Sequence, residues 1–302
     1  MNTREWALLI FTILGQLAVG MMLVMLIIRA YAVRKAGIEQ AAHLTDVPLY
    51  LVLPIMGLAL LASLFHLGKL VHVLGAVPNL ATSWMSREVV FAVAFIVFVA
   101  VYAFLQWRKI GSEIVRTFIG WVTAVVGLIY VYCMGMTYQL PAQPAWNTWA
   151  TSVTFFVTTL LLGVLGSAAA IMVNYTWLLK KEAAHQGMIG NVLQWISITA
   201  IVLLGIEFLV MPMYLAFLST QGPAAIRILN LIVGMYGAAL AIRLILVFVG
   251  AGILAAYLHR NVSLPGGEKS WAMLVYSAFV LVLASEVMGR FVFYATHIRI
   301  GI

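Results

Sequence analysis

The chain has 302 residues, 65% of them apolar and only 9% charged, with a mean hydropathy of +1.09. A soluble domain of this length carries roughly a quarter charged residues, so the composition excludes a water-covered surface and places the chain in a lipid bilayer. The net charge of +8 is not read as a nucleic-acid signature, because basic residues at helix ends are the ordinary determinants of membrane orientation.

A membrane helix needs about 20 mostly apolar residues. Eight segments meet that requirement, at 7–28, 48–66, 89–107, 115–137, 152–179, 189–218, 228–257 and 271–296. The expected fold is therefore an all-α integral membrane protein, one domain of eight transmembrane helices over 1–302. The first segment is expected to be retained, since its apolar run is too long for a signal peptide and no small-x-small cleavage pattern follows. The connections are short, and no short internal repeat is visible. The connections after the odd-numbered segments hold Arg29, Arg34, Lys35, Arg108, Lys109, Arg116, Lys180, Lys181, Arg260 and Lys269. The opposite side holds Arg4, Lys69, Arg87, Arg227, Arg299 and Arg290. Ten against six predicts odd connections in the cytoplasm and both termini outside, in the periplasm of a bacterial host. The single cysteine, Cys133, lies within an apolar run. It excludes an internal disulfide and an iron–sulfur cluster bound by this chain alone.

The connection between the second and third segments, "FHLGKLVHVLGAVPNLATSWMSREVVF" at 65–91, gathers His66, Lys69, His72, Arg87 and Glu88 in a protein with only nine acids and six histidines. Gly68 suits the end of the second helix, Pro78 and Asn79 mark a turn, and Ser83 or Ser86 caps the third. Each residue has an ordinary reading: Lys69 and Arg87 can snorkel to headgroups, Glu88 can serve as a helix-start charge, and His66 can be an interface residue. Together they suit a sharper role. A histidine and a carboxylate at the edge of the hydrocarbon can hold the two oxygens of a quinol ring and take its protons during oxidation.

Deeper in the apolar runs lie Glu207, Arg243, Glu286 and Arg290. Each costs about 2.5–3.5 kcal/mol at a helix centre unless paired or hydrated. Glu207 and Arg243 sit at mid-depth on consecutive helices, which predicts an ion pair. Glu286 and Arg290 are four apart on one helix face, which predicts a second. Tyr294 and His297 continue that face outward. Both pairs can also be purely structural locks.

The strings "ALLIFTILGQLAVG", "FHLGK", "SWMSREV", "PAWNTW" and "EVMGRFVFYATH" occur in that order from the first segment to the last. They resemble the membrane anchor subunit of the DMSO reductase family (DmsC type). The resemblance implies eight transmembrane helices with both termini outside, in a bacterial inner membrane. It implies no haem or metal in this chain, and oxidation of menaquinol near the periplasmic face. Electrons would pass to a ferredoxin-like subunit with four iron–sulfur clusters, and from there to a molybdopterin catalytic subunit that reduces the terminal acceptor. The family's quinol-site histidine falls on His66 and its glutamate on Glu88. The residues' own placement at and below the outer face makes Lys69, His72, Arg87, Glu286, Arg290, Tyr294 and His297 the expected surrounding pocket. One departure stands out. Where relatives carry a proline and then a basic residue after His-Leu-Gly, this protein has Leu70 and His72, with Lys69 directly after the glycine. Three alternatives stay open: an anchor of the polysulfide-reductase or NrfD type, a b-haem anchor using His66 and His297, and a transporter lined by the intramembrane charges.

Overall fold

In a computed structural model, residues 3–67, 77–179, 183–256, 268–296 and 298 are described, and no strand occurs among them. The helices are α1 (Thr3–Tyr50), α2 (Val52–Leu67), α3 (Trp84–Arg108), α4 (Glu113–Tyr138), α5 (Trp149–Val173), α6 (Ala183–Thr220), α7 (Pro223–Asn230), α8 (Gly237–Val247) and α9 (Glu268–Ala295). Among the described residues, seven helical stretches are long and apolar enough to cross a membrane, the first of them running from Glu5 to Phe65 through two of the expected segments.

That stretch is broken at Gly37, whose φ of 86° and ψ of 172° leave the helical region. The Arg29 Nη1 donates to Thr45 Oγ1 at 3.0 Å and to Asp46 Oδ1 at 2.6 Å. In a continuous helix those residues would stand about 25 Å apart at 1.5 Å per residue, so the backbone folds back at Gly37. Hydropathy assigns 29–47 to a connection; the structure makes it helical on both sides of the glycine. The reason is local: Ala, Arg, Lys, Glu and Gln dominate this stretch, all good helix formers, and polarity does not prevent a helix where the end of the bundle is wet.

The expected 228–257 segment is also less regular than its hydropathy suggests. It is built from α7, a π-helical turn at Leu231–Met235, α8 and a second π turn at Phe248–Ile253. Another π turn, Asn174–Leu178, extends α5.

The first arm of α1 and α5 form the centre of the bundle. Gly20 and Gly163 meet there, and a Cβ on either would fall inside the other helix's backbone. Close backbone approach through small residues is the packing mode that apolar surroundings favour. The outer helices turn Leu58, Val97, Phe104, Phe118 and Val202 outward, an apolar surface suited to lipid.

Charged residues staple the end of the bundle that carries Gly37. Arg29 bridges Asp46 and Glu113, with Glu113 also held by Arg116 and Asp46 by Lys109. The amide of Asn174 donates to the carbonyls of His43 and Leu44, tying the returning arm of α1 to the end of α5.

Candidate functional site

The opposite end, carrying the start of α1, positions Glu88. Ser83 is the N-cap of α3, its hydroxyl accepting from the Ser86 amide at 3.3 Å. Arg87 donates to the carbonyls of Leu80 and Ala81 at 2.9 and 2.6 Å and lies over the Trp84 ring at 4.2 Å. It therefore pins the 77–83 turn. One residue further on, Glu88 faces the opposite way and is only 6% exposed.

The neighbours of Glu88 come from α4, where Tyr130, Cys133, Thr137 and Tyr138 recur at helical spacing. The Thr137 hydroxyl, which donates to the Cys133 carbonyl at 2.9 Å, stands beside it, and Cys133, Tyr130, Tyr138 and Tyr294 lie within electrostatic reach. The Tyr138 and Tyr294 hydroxyls share a hydrogen bond of 2.7 Å, joining α4 to α9. The Tyr130 hydroxyl is buried without a hydrogen-bond partner. Trp146 closes this end, stacked on Phe293 at 5.0 Å with its indole N–H donated to the Phe293 carbonyl at 3.1 Å. The result is a carboxyl at the head of a membrane helix, sealed from water and ringed by hydroxyls.

Towards mid-membrane lies a second polar group. Arg243 donates to Glu207 Oε1 at 2.5 Å, the pair expected from their depth on consecutive helices. The expected Glu286–Arg290 pair does not form. Glu286 instead accepts from the Thr158 hydroxyl at 2.6 Å and stands 3.7 Å from the Arg243 guanidinium. Arg290 donates to Gln16 Oε1 at 3.0 Å and lies over the Phe155 ring at 3.7 Å. Gln16 is held in turn by its amide on the Phe155 carbonyl at 2.7 Å. A shared face permits an i, i+4 pair without enforcing it, and a desolvated cation over an aromatic face gains about 2 kcal/mol. A cavity of about 100 Å³ borders these groups, lined among others by Thr158, Glu207, Tyr214, Arg243, Glu286 and Arg290.

A family model described as "DMSO reductase anchor subunit (DmsC)" matches residues 1–296. The protein belongs to that family. The family expected from the motifs is thus borne out, and with it a multi-pass membrane anchor of the DMSO reductase type. Over 302 residues it is 29% identical to the C subunit of the anaerobic dimethyl sulfoxide reductase of Escherichia coli (strain K12), an alignment covering 99% of this protein and 96% of the relative. It is 26% identical to the subunit of the same name from Haemophilus influenzae, covering 100% and 98%. It is also 26% identical to the YnfH subunit of anaerobic dimethyl sulfoxide reductase of Escherichia coli (strain K12), covering 99% and 96%.

Of the residues singled out from sequence, the structure brings Glu88 and Tyr294 together, and Arg290 reaches the same tyrosines from one turn deeper. Arg87 is turned to its own loop. His66 lies in the last turn of α2, which packs beside α3; its side chain, and Lys69, His72 and His297, lie outside the described residues. Sequence reasoning missed Thr137, Tyr138, Thr158, Gln16 and Phe155. Gln16 and Tyr138 carried a signal, as hydrogen-bonding side chains inside long apolar runs. Among the described residues no three of His, Cys, Asp and Glu gather as metal ligands.

Proposed function

We propose that this protein is the membrane anchor and quinol-oxidising subunit of a DMSO-reductase-type complex in a bacterial inner membrane. Counting the two arms of 5–65 separately gives eight passes in one membrane domain, with both termini on the periplasmic side. Menaquinol binds at the end of the bundle where α2 finishes and α3 begins. His66 holds one ring oxygen, and Glu88 accepts a proton from the other side of the ring. Lys69 or His72 steadies negative charge as the quinol deprotonates, and Arg290, Tyr294 and His297 wall the pocket. Each quinol yields the quinone, two protons and two electrons. The protons leave to the periplasm, and the electrons pass to a ferredoxin-like iron–sulfur subunit and then to a molybdopterin catalytic subunit. The relatives' names point to dimethyl sulfoxide as the acceptor for anaerobic respiration.

The observation that carries this reading is the burial of Glu88 among hydroxyls at the head of α3. A carboxylate placed only to complement a helix end has no need to leave water; one that receives a proton from an apolar substrate does. In His66→Phe, quinol-driven reduction of the acceptor should be lost, while assembly and dye-driven reduction by the same complex persist. Normal quinol turnover in that variant would refute the assignment.

A further inference from the structure

Among the described residues, the cavity bounded by α5, α6, α8 and α9 shares only Arg290 with the proposed quinol pocket, and three features of it point the same way. First, its charges are unevenly shared. Arg243 serves two carboxylates, Glu207 at 2.5 Å and Glu286 at 3.7 Å, whereas Arg290 has no carboxylate within 4 Å among the described residues. Second, Glu207 Oε2, Glu286 Oε1 and Arg243 Nε are buried without hydrogen-bond partners. An unpartnered polar atom in such a place costs about 1–3 kcal/mol or more. Third, the helices around it are irregular. Pro212, five residues past Glu207, lacks the amide that would bond the Phe208 carbonyl, and π turns stand on both sides of Arg243. Irregular backbone at membrane depth is tolerated where protein covers it or where it borders water. A cavity of about 100 Å³ has room for several waters, each needing roughly 10–15 Å³ by the same measure.

We propose that this cavity is a hydrated proton-exchange site, in which Glu286 takes up and releases the proton and the Glu207–Arg243 pair is its fixed counter-charge. Glu286 is the exchanging group because it is the carboxylate that Arg243 holds less tightly, at 3.7 Å against 2.5 Å for Glu207. A proton on Glu207 would break the shorter ion pair. The Thr158 hydroxyl holds Glu286 through Oε2, and among the described residues Arg290 and Tyr214 are the other titratable groups on the lining. One turn from Glu286, Arg290 leads to Tyr294 and Tyr138, and so to the Glu88 end. Only the source of the proton, a quinol hydroxyl, rests on the function proposed above; the exchange itself does not.

The test is infrared difference spectroscopy of the intact lipid-embedded complex on a change of pH, in H₂O and in D₂O, without quinol turnover. The expected result is a protonated-carboxyl band that moves in D₂O, is lost in Glu286→Gln, returns in Glu286→Asp and is shifted in Thr158→Val. It should persist in Glu88→Gln, so a failure of the quinol site leaves this test standing. Dye-driven reduction checks that each complex is intact, and if Glu286→Gln does not assemble, the Thr158→Val shift decides. Absence of the band in the wild type, its survival in Glu286→Gln, or an unshifted band in Thr158→Val would overturn the proposal. So would loss of its deuterium sensitivity on adding a soluble quinol analogue, which would mean that an organic ring fills the cavity.

Discussion

Glu88 and Arg87 are adjacent in sequence and opposite in behaviour. Arg87 spends its guanidinium on two loop carbonyls and the Trp84 ring, while Glu88 turns inward to Thr137 and the tyrosines. In Glu88→Gln the shape is kept and the proton acceptor removed. Quinol-driven turnover should fall about 100-fold, the lower end of what a positioned acid–base group supplies, with dye-driven turnover unchanged. A wild-type quinol rate would reduce Glu88 to a packing residue. The sequence made some of this legible. Glu207 and Arg243 could be paired from depth alone, because a lone charge in hydrocarbon has few alternatives. Glu286 and Arg290 could not be separated, because helical spacing says nothing of what faces the helix. The deciding partners, Thr158, Gln16 and Phe155, come from α5 and α1, more than a hundred residues away in sequence.

At the scale of elements, hydropathy located the membrane-crossing stretches but misjudged their ends and their regularity. Residues 29–47 fold as helix because intrinsic propensity and polar partners at the bundle end outweigh their lack of apolar character. The π turns around α8 left no trace in hydropathy, since inserting a residue into a helical turn changes its hydrogen bonding and not its composition. Close packing was equally silent: nothing in the sequence distinguishes Gly163 from Gly57, yet the first presses on Gly20 and the second faces open space. Gly163→Ala should therefore lower the amount of assembled complex in the membrane several-fold, whereas Gly57→Ala, which adds the same methyl in the same kind of helix, should leave it unchanged. Equal yields from the two variants would refute the packing argument.

At the scale of the whole molecule, the two ends of the bundle are built differently. The Gly37 end is an interlocked set of charges, in which Arg29, 3% exposed, holds α1 on both sides of its fold-back and reaches α4 through Glu113. Arg29→Leu should lower stability by about 3 kcal/mol, the lower end for breaking a buried ion pair, because Asp46 and Glu113 keep Lys109 and Arg116. Thermal inactivation of the complex should shift down accordingly; an unchanged inactivation temperature would show that the remaining pairs suffice. The other end, where Arg87 and Glu88 lie at the head of α3, is held by aromatic rings and hydroxyls. The contact of Gly20 with Gly163 has a mechanical consequence for such a molecule. Two helices in backbone contact have no compressible side chains between them and act as a stiff axle, with the other helices mounted around it. Any breathing that admits a substrate is then confined to the outer helices. On the function proposed above, the axle keeps one gap constant, the distance an electron crosses from a molecule dissolved in the membrane to a partner fixed upon it.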